Sequence, residues 1–227
     1  MKQETTQMGI SFIDLTRDPK HNYLLTEALQ SRYILAARYL RGCRHVFEIG
    51  SFQTPITDFL TAPVESCTVV DPLLEPYEAD QLNGHPCQVR HIQGWIQDVE
   101  YEREHGTYGV VMMGLVLDFP GGNAEQAKHT FARIIRLIDN AQVTVLEFCT
   151  HYEPSINQVR YLVNNTQTSI DFQVDLDFEN DEHARQFNPN MSKGYMHRRL
   201  LVLKPKLAEA SSRSGLAPPM CSTNPTP

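Results

Sequence analysis

Four short clusters of residues carry the types and spacing that chemistry needs. The first is Glu48-x-Gly50-Ser51, which follows the apolar run Val46, Phe47, Ile49 and precedes Thr54-Pro55. A strand that ends in an acid and a glycine lets the chain turn sharply and a ligand approach the backbone closely. A helix N-terminus after the turn offers free N–H groups to a carboxylate or phosphate. The same turn also serves as a plain strand–helix connection. The second is Asp71, which closes SCTVVD and lies 23 residues beyond Glu48. An acid at that place can accept hydrogen bonds from both hydroxyls of a ribose, or cap Pro72-Leu73-Leu74. The third is Gln93-Gly94-Trp95, a strand end where an aromatic ring or a backbone amide can cover a base, or where the single tryptophan joins the core. The fourth, Glu147 to Tyr152, holds His151 and Tyr152 after an apolar strand. A histidine's unperturbed pKa lies near neutrality, so His151 suits a general base, Tyr152 can orient an acceptor, and Asp118 or Glu147 can bind an amine or polarise His151. Each also fits an ordinary surface loop.

Positioning these clusters requires a parallel sheet. Strands are expected at 45–49, 66–71, 87–92, 108–114, 141–148, 170–176 and 198–203. The run YGVVMMG is apolar throughout, as a strand buried on both faces should be. Helices are expected at 22–41, 54–60, 95–105, 124–138 and 154–165, with a loop or irregular helix over 73–85. In the first helix Leu25, Leu29, Ile34, Ala37 and Leu40 recur near the helical period and Gly42 stops it. Phe131, Ile134, Ile135 and Ile138 mark the inner face of the fourth. Alternation of strands and helices predicts an α/β fold, with right-handed crossovers placing the strand C-termini, and the ligand, on one rim. Residues 1–21 read as a lead-in, 22–206 as one domain, and 207–227 as a disordered tail rich in Ser, Pro, Ala and Thr.

Composition narrows the partners. The chain of 227 residues has a net charge of −7, which disfavours a nucleic-acid partner. The only basic run, His197-Arg198-Arg199, flanks a strand. Five scattered cysteines without C-x-x-C spacing predict reduced thiols and no zinc site. No run reaches the roughly 18 apolar residues of a membrane span, and the N-terminus lacks an apolar signal core. A cytoplasmic protein is expected. The acidic series Asp175, Asp177, Glu179, Asp181, Glu182 and His183 fits no EF-hand and reads as a solvated loop. The segment 177–197, with its Asn188-Pro189-Asn190 and Lys193-Gly194-Tyr195 turns, is a candidate lid.

Taken together, FEIGS, VVDP, HIQGW, YGVVMMG and RRLLVLK resemble the class I S-adenosylmethionine (SAM)-dependent methyltransferases over residues 22–204. The resemblance implies a three-layer α/β/α sandwich, Rossmann-like, whose seven-stranded, mostly parallel sheet ends in an antiparallel strand. It implies SAM as cofactor, held by Glu48, Gly50, Ser51, Asp71, Gly94 and Trp95. It implies a small-molecule acceptor methylated on oxygen or nitrogen beside His151 and Tyr152, without nucleic acid or membrane, and leaves homo-oligomerisation open. The family shows two or three alternating glycines, whereas Phe52 and Thr54 stand at the later places here. That departure keeps a second reading in play, a methyltransferase-like protein that binds a ligand or partner without transfer. Metal-dependent members carry an Asp-Asn pair where this chain has Phe148-Cys149, so no metal is expected. A nicotinamide oxidoreductase is disfavoured, since the pyrophosphate-binding glycines are missing.

Overall fold

A computed structural model describes residues 27–51, 54–101, 103–114, 124–177 and 197–206. The calls on Phe52, Asp118, the lead-in, the tail, residues 22–26 and the candidate lid beyond Asp177 lie outside them. The described strands are β1 (His45–Ile49), β2 (Ser66–Asp71), β3 (Tyr77–Leu82), β4 (His85–Gln93), β5 (Tyr108–Met112), β6 (Val143–Cys149), β7 (Thr168–Asp177) and β8 (His197–Pro205). The helices are α1 (Glu27–Tyr39), α2 (Ala124–Asn140) and α3 (Glu153–Asn165).

The strands form one sheet in the order β3-β4-β2-β1-β5-β6-β8-β7. β4, β2, β1, β5 and β6 are mutually parallel. β8 enters antiparallel between β6 and β7, as expected for the last strand. The sheet separates two cores. α1 covers one face through Tyr33, Ala36 and Ala37, joined by Leu40 just after it, which pack with Val46, Val69, Val111 and Val145. α2 and α3 cover the other through Ile134, Leu137, Ile138, Val159 and Leu162, which pack with Phe47, Val110 and Met112. Every residue of β2, β5 and β6 is buried, the signature of strands covered on both sides. The described cysteines, Cys43, Cys67, Cys87 and Cys149, are free and buried. Among the described residues no helix is long and apolar enough to cross a membrane.

Four expectations are corrected. The sheet has eight strands instead of seven. The extra one is β3, in the stretch read as a loop or irregular helix. Asn83 (φ 52) and Gly84 (φ 80) both sit in the left-handed region, so Asn-Gly makes a tight hairpin turn and pairs β3 antiparallel to β4. The helix expected at 54–60 is a 3-10 turn at Ile56–Asp58. Pro55 is extended (ψ 150), and the Ile56 N–H donates to Glu48 Oε2 at 2.6 Å instead of joining a longer helix. The helix expected at 95–105 is a 3-10 turn at Ile96–Asp98, after which Val99 turns extended. Tyr101 then stacks on Phe47 with ring centroids 4.1 Å apart, filling space a helix would cover. In α1 the inner face is carried by Tyr33 and Ala36, and Ile34 is 61% exposed. Ala37 and Leu40 are buried as expected, so among the described positions the departure is confined to Ile34.

Candidate functional site

At the C-terminal rim, β1 ends in Glu48, Ile49 and Gly50. Gly50 has φ +78, a conformation that favours glycine, and its N–H donates to Val70 O at 2.9 Å. A Cβ built there would meet nothing within 4 Å among the described residues. Ser51 is buried beside it. Asp71 closes β2 and is 6% exposed. Its Oδ1 accepts the Leu73 N–H at 2.7 Å, so the capping role is realised. Its backbone oxygen accepts the Gly94 N–H at 3.2 Å, tying the end of β2 to the corner after β4. Trp95, half-buried, precedes the 3-10 turn. Glu48, Gly50, Asp71 and Gly94 are thus assembled by neighbouring strand ends.

Glu48 is fully buried, its Oε2 bound to the Ile56 N–H and its Oε1 without a hydrogen-bond partner among the described residues. Burial pushes its carboxyl up to about 8, the Asp71 and Asp58 charges add to the rise, and the Ile56 N–H and Arg32 oppose it.

His151 and Tyr152 follow β6, on the same rim but two strands from β1. His151 is exposed, its Nδ1 lies 3.2 Å from Thr150 Oγ1, and its ring lies 4.5 Å, centroid to centroid, from that of His197. His197 Nδ1 lies 3.4 Å from Asp177 Oδ1. Tyr152 is half-buried at the start of α3 and makes no side-chain cap.

Glu147 does not polarise His151 or wait for an amine. Its carboxylate is fully buried and held by Arg198 Nε and by Arg198 Nη2 at 3.1 Å. Arg32 Nη1 at 3.0 Å and the Gly114 N–H at 2.6 Å complete its partners. Burial alone would raise this carboxyl, but Arg198, Arg32 and the Gly114 N–H outweigh it and bring it down to about 2. Arg32 and Arg198 are missing from the expected site, although the sequence signalled that Glu147 needs partners. An acid inside the apolar strand VTVLEFC must be paired. Arg198 alternates with the inward-facing Leu200 and Val202, and sits opposite Cys149, one diagonal from Glu147.

Two acidic residues of the series beginning at Asp175 are described. Asp175 pairs with Arg199 through two bonds of 2.5 and 2.9 Å, and Asp177 faces His197. No group of three or more His, Cys, Asp or Glu residues suited to a metal ion occurs among the described residues. A polar depression of about 370 Å³ lies elsewhere, lined by Ser66, Thr68, Arg90, Tyr101 and Arg103, beside the segment where no helix follows Trp95.

No protein-family model matches the sequence, and no curated protein matches it. Solved structures match the fold. The Burkholderia thailandensis 1,6-didemethyltoxoflavin-N1-methyltransferase, solved with 1,6-didemethyltoxoflavin and S-adenosylhomocysteine, is similar at TM-score 0.56 and 15% identity, over 86% of this chain and 85% of that one. The N-methyltransferase NodS from Bradyrhizobium japonicum WM9 is similar at TM-score 0.51 and 11% identity, over 79% of this chain and 97% of that one. The chain therefore shares the Rossmann-like fold of these methyltransferase structures, here with an eight-stranded sheet.

Proposed function

We propose that this protein is a SAM-dependent methyltransferase acting on an oxygen or nitrogen of a small-molecule acceptor in the cytoplasm. The observation that carries the reading is the assembly of Gly50, Asp71 and Gly94 on one rim, with nothing among the described residues within 4 Å of a Cβ built at Gly50. The residues present fit the cofactor at two points. Gly50 leaves the backbone approachable, and the buried Glu48 Oε1 has no hydrogen-bond partner among the described residues. In this reading the Asp71 carboxylate, which also holds the Leu73 N–H, accepts from the ribose. Gly94 and Trp95 border the adenine, and Ser51 lines the turn. When bound, the cofactor supplies an electrophilic methyl group. His151 takes the proton of an acceptor that must lose one, and Tyr152 helps to orient it. Alignment supplies much of the rate of such a transfer. The acidic net charge favours a small metabolite over nucleic acid. Both solved relatives named above are N-methyltransferases by name, which supports a nitrogen acceptor.

One feature favours a second reading, a methyltransferase-like protein that binds a ligand or partner without transfer. The helix expected to face the methionine end is only a three-residue 3-10 turn. Calorimetric titration with SAM separates the two. Saturable binding below a few hundred micromolar, on the order of ordinary Michaelis constants, supports the first, and absence of heat over that range favours the second.

A further inference from the structure

The Thr150 hydroxyl stands between two groups. Its Oγ1 lies 3.2 Å from His197 O, placed to donate, and 3.2 Å from His151 Nδ1. The Thr150 N–H donates to the same His197 oxygen at 2.9 Å. This contact joins the end of β6 to the first residue of β8, so the position of Thr150 is set by the sheet. A threonine hydroxyl has one proton to give and two lone pairs to receive with. If that proton goes to His197 O, the approach of His151 Nδ1 is a hydrogen bond only when Nδ1 is the donor. The bond made by one ring nitrogen decides which nitrogen carries the proton.

From this geometry we infer that Thr150 is a positioning residue that holds neutral His151 as the Nδ1–H tautomer. Its Nε2 lone pair is left free to accept a proton. The His197 ring, 4.5 Å away, limits the rotation that would exchange the two nitrogens. The inference deepens the proposed function by naming the basic atom of His151, Nε2. It rests on that reading for its catalytic meaning, but the tautomer itself can be read without cofactor or acceptor.

The test is a long-range proton–nitrogen correlation spectrum of the full-length, 15N-histidine-labelled protein, at a pH where the ring is neutral. His151→Gln identifies the signals by their loss. The expected wild-type pattern is that of a protonated Nδ1 and a bare Nε2. Thr150→Val keeps the shape and removes the hydroxyl, and should shift His151 toward the Nε2–H form that free imidazole side chains favour. Thr150→Ser should restore the wild-type pattern. A wild-type His151 protonated on Nε2, or a Thr150→Val pattern identical to wild type, overturns the inference. If Thr150→Val fails to fold, the wild-type spectrum alone decides. Failure of the protein to bind SAM would leave the tautomer result intact and count only against the proposed function.

Discussion

Glu48 and Glu147 are both fully buried carboxyls near the C-terminal ends of parallel strands, and their surroundings drive them in opposite directions. Glu147 has two guanidinium groups and a backbone N–H and falls to about 2, while Glu48 has one N–H and rises to about 8. Burial thus favours the protonated form at β1, and the arginines favour the ionised form at β6.

A carboxyl whose folded value lies above its unfolded one keeps its proton when the unfolded chain has released it. Folding stability therefore falls as pH rises from about 4.5 toward about 8, and levels off above. Glu48→Gln removes that titration. Thermal melts from pH 5 to 8.5 should show a flatter pH dependence for the variant and a higher melting temperature than wild type at pH 8. Parallel curves for the two proteins would place Glu48 in a wetter site than the structure gives it.

Glu147 follows the opposite rule. Its folded value is depressed, so its contribution is fully present above about 4.5 and is lost as pH falls toward about 2. Glu147→Gln removes the carboxylate that Arg32 and Arg198 share, and both arginines are buried, each 5% exposed or less. Breaking a buried pair this way costs roughly 3–5 kcal/mol. Urea unfolding at pH 7 should register a loss of that size. A loss below about 1 kcal/mol, the scale of an exposed ion pair, would mean that the arginines find water.

Gly109 in β5 sits where α1 comes down on the sheet. A Cβ there would collide with Leu40 Cδ2 and lie 3.1 Å from Cys43 Sγ. Leu40 is 1% exposed and has little room to retreat. Gly109→Ala should destabilise by about 1–3 kcal/mol, the usual scale of overpacking, while cofactor binding survives at temperatures where the variant is folded. An unchanged urea midpoint would show that α1 can slide outward at no cost.

The strands were legible because burial on both faces writes itself into composition. VTVLEFC, SCTVVD and YGVVM are almost wholly apolar or small, and each became a strand within two residues of the expected bounds. The two missing helices were not legible, because their outcome is decided by tertiary partners. Ile56 gives its N–H to Glu48, and Tyr101 is drawn onto Phe47, each a contact between segments that the helical period does not sense. β3 was legible and overlooked, since Asn83-Gly84 is a strong hairpin signal in its own right. The rim residues Glu48, Gly50, Asp71 and Gly94 could be found from the order of strands and the turn chemistry alone. The partners of Glu147 needed the sheet register, which brings Arg198 to it from 51 residues away, and the packing of α1, which brings Arg32 from 115.

Asp71 carries two roles that a mutation series can separate. Its Oδ1 fixes the Leu73 N–H at 2.7 Å, and in the proposed function its carboxylate also takes the ribose hydroxyls. Asp71→Ala removes both. It should raise the dissociation constant for SAM by at least tenfold, about 1.4 kcal/mol, and cost about 1 kcal/mol of stability from the lost cap. Asp71→Asn keeps a side-chain oxygen for Leu73 but gives up half of the carboxylate's acceptor capacity. It should retain most of the stability while still weakening SAM binding. Calorimetry and urea unfolding on the same preparations decide the matter. Weaker binding in both variants, with stability lost only in Asp71→Ala, assigns the carboxylate to the ligand. Full affinity in both would leave Asp71 a turn-capping residue and move the ribose site elsewhere on the rim.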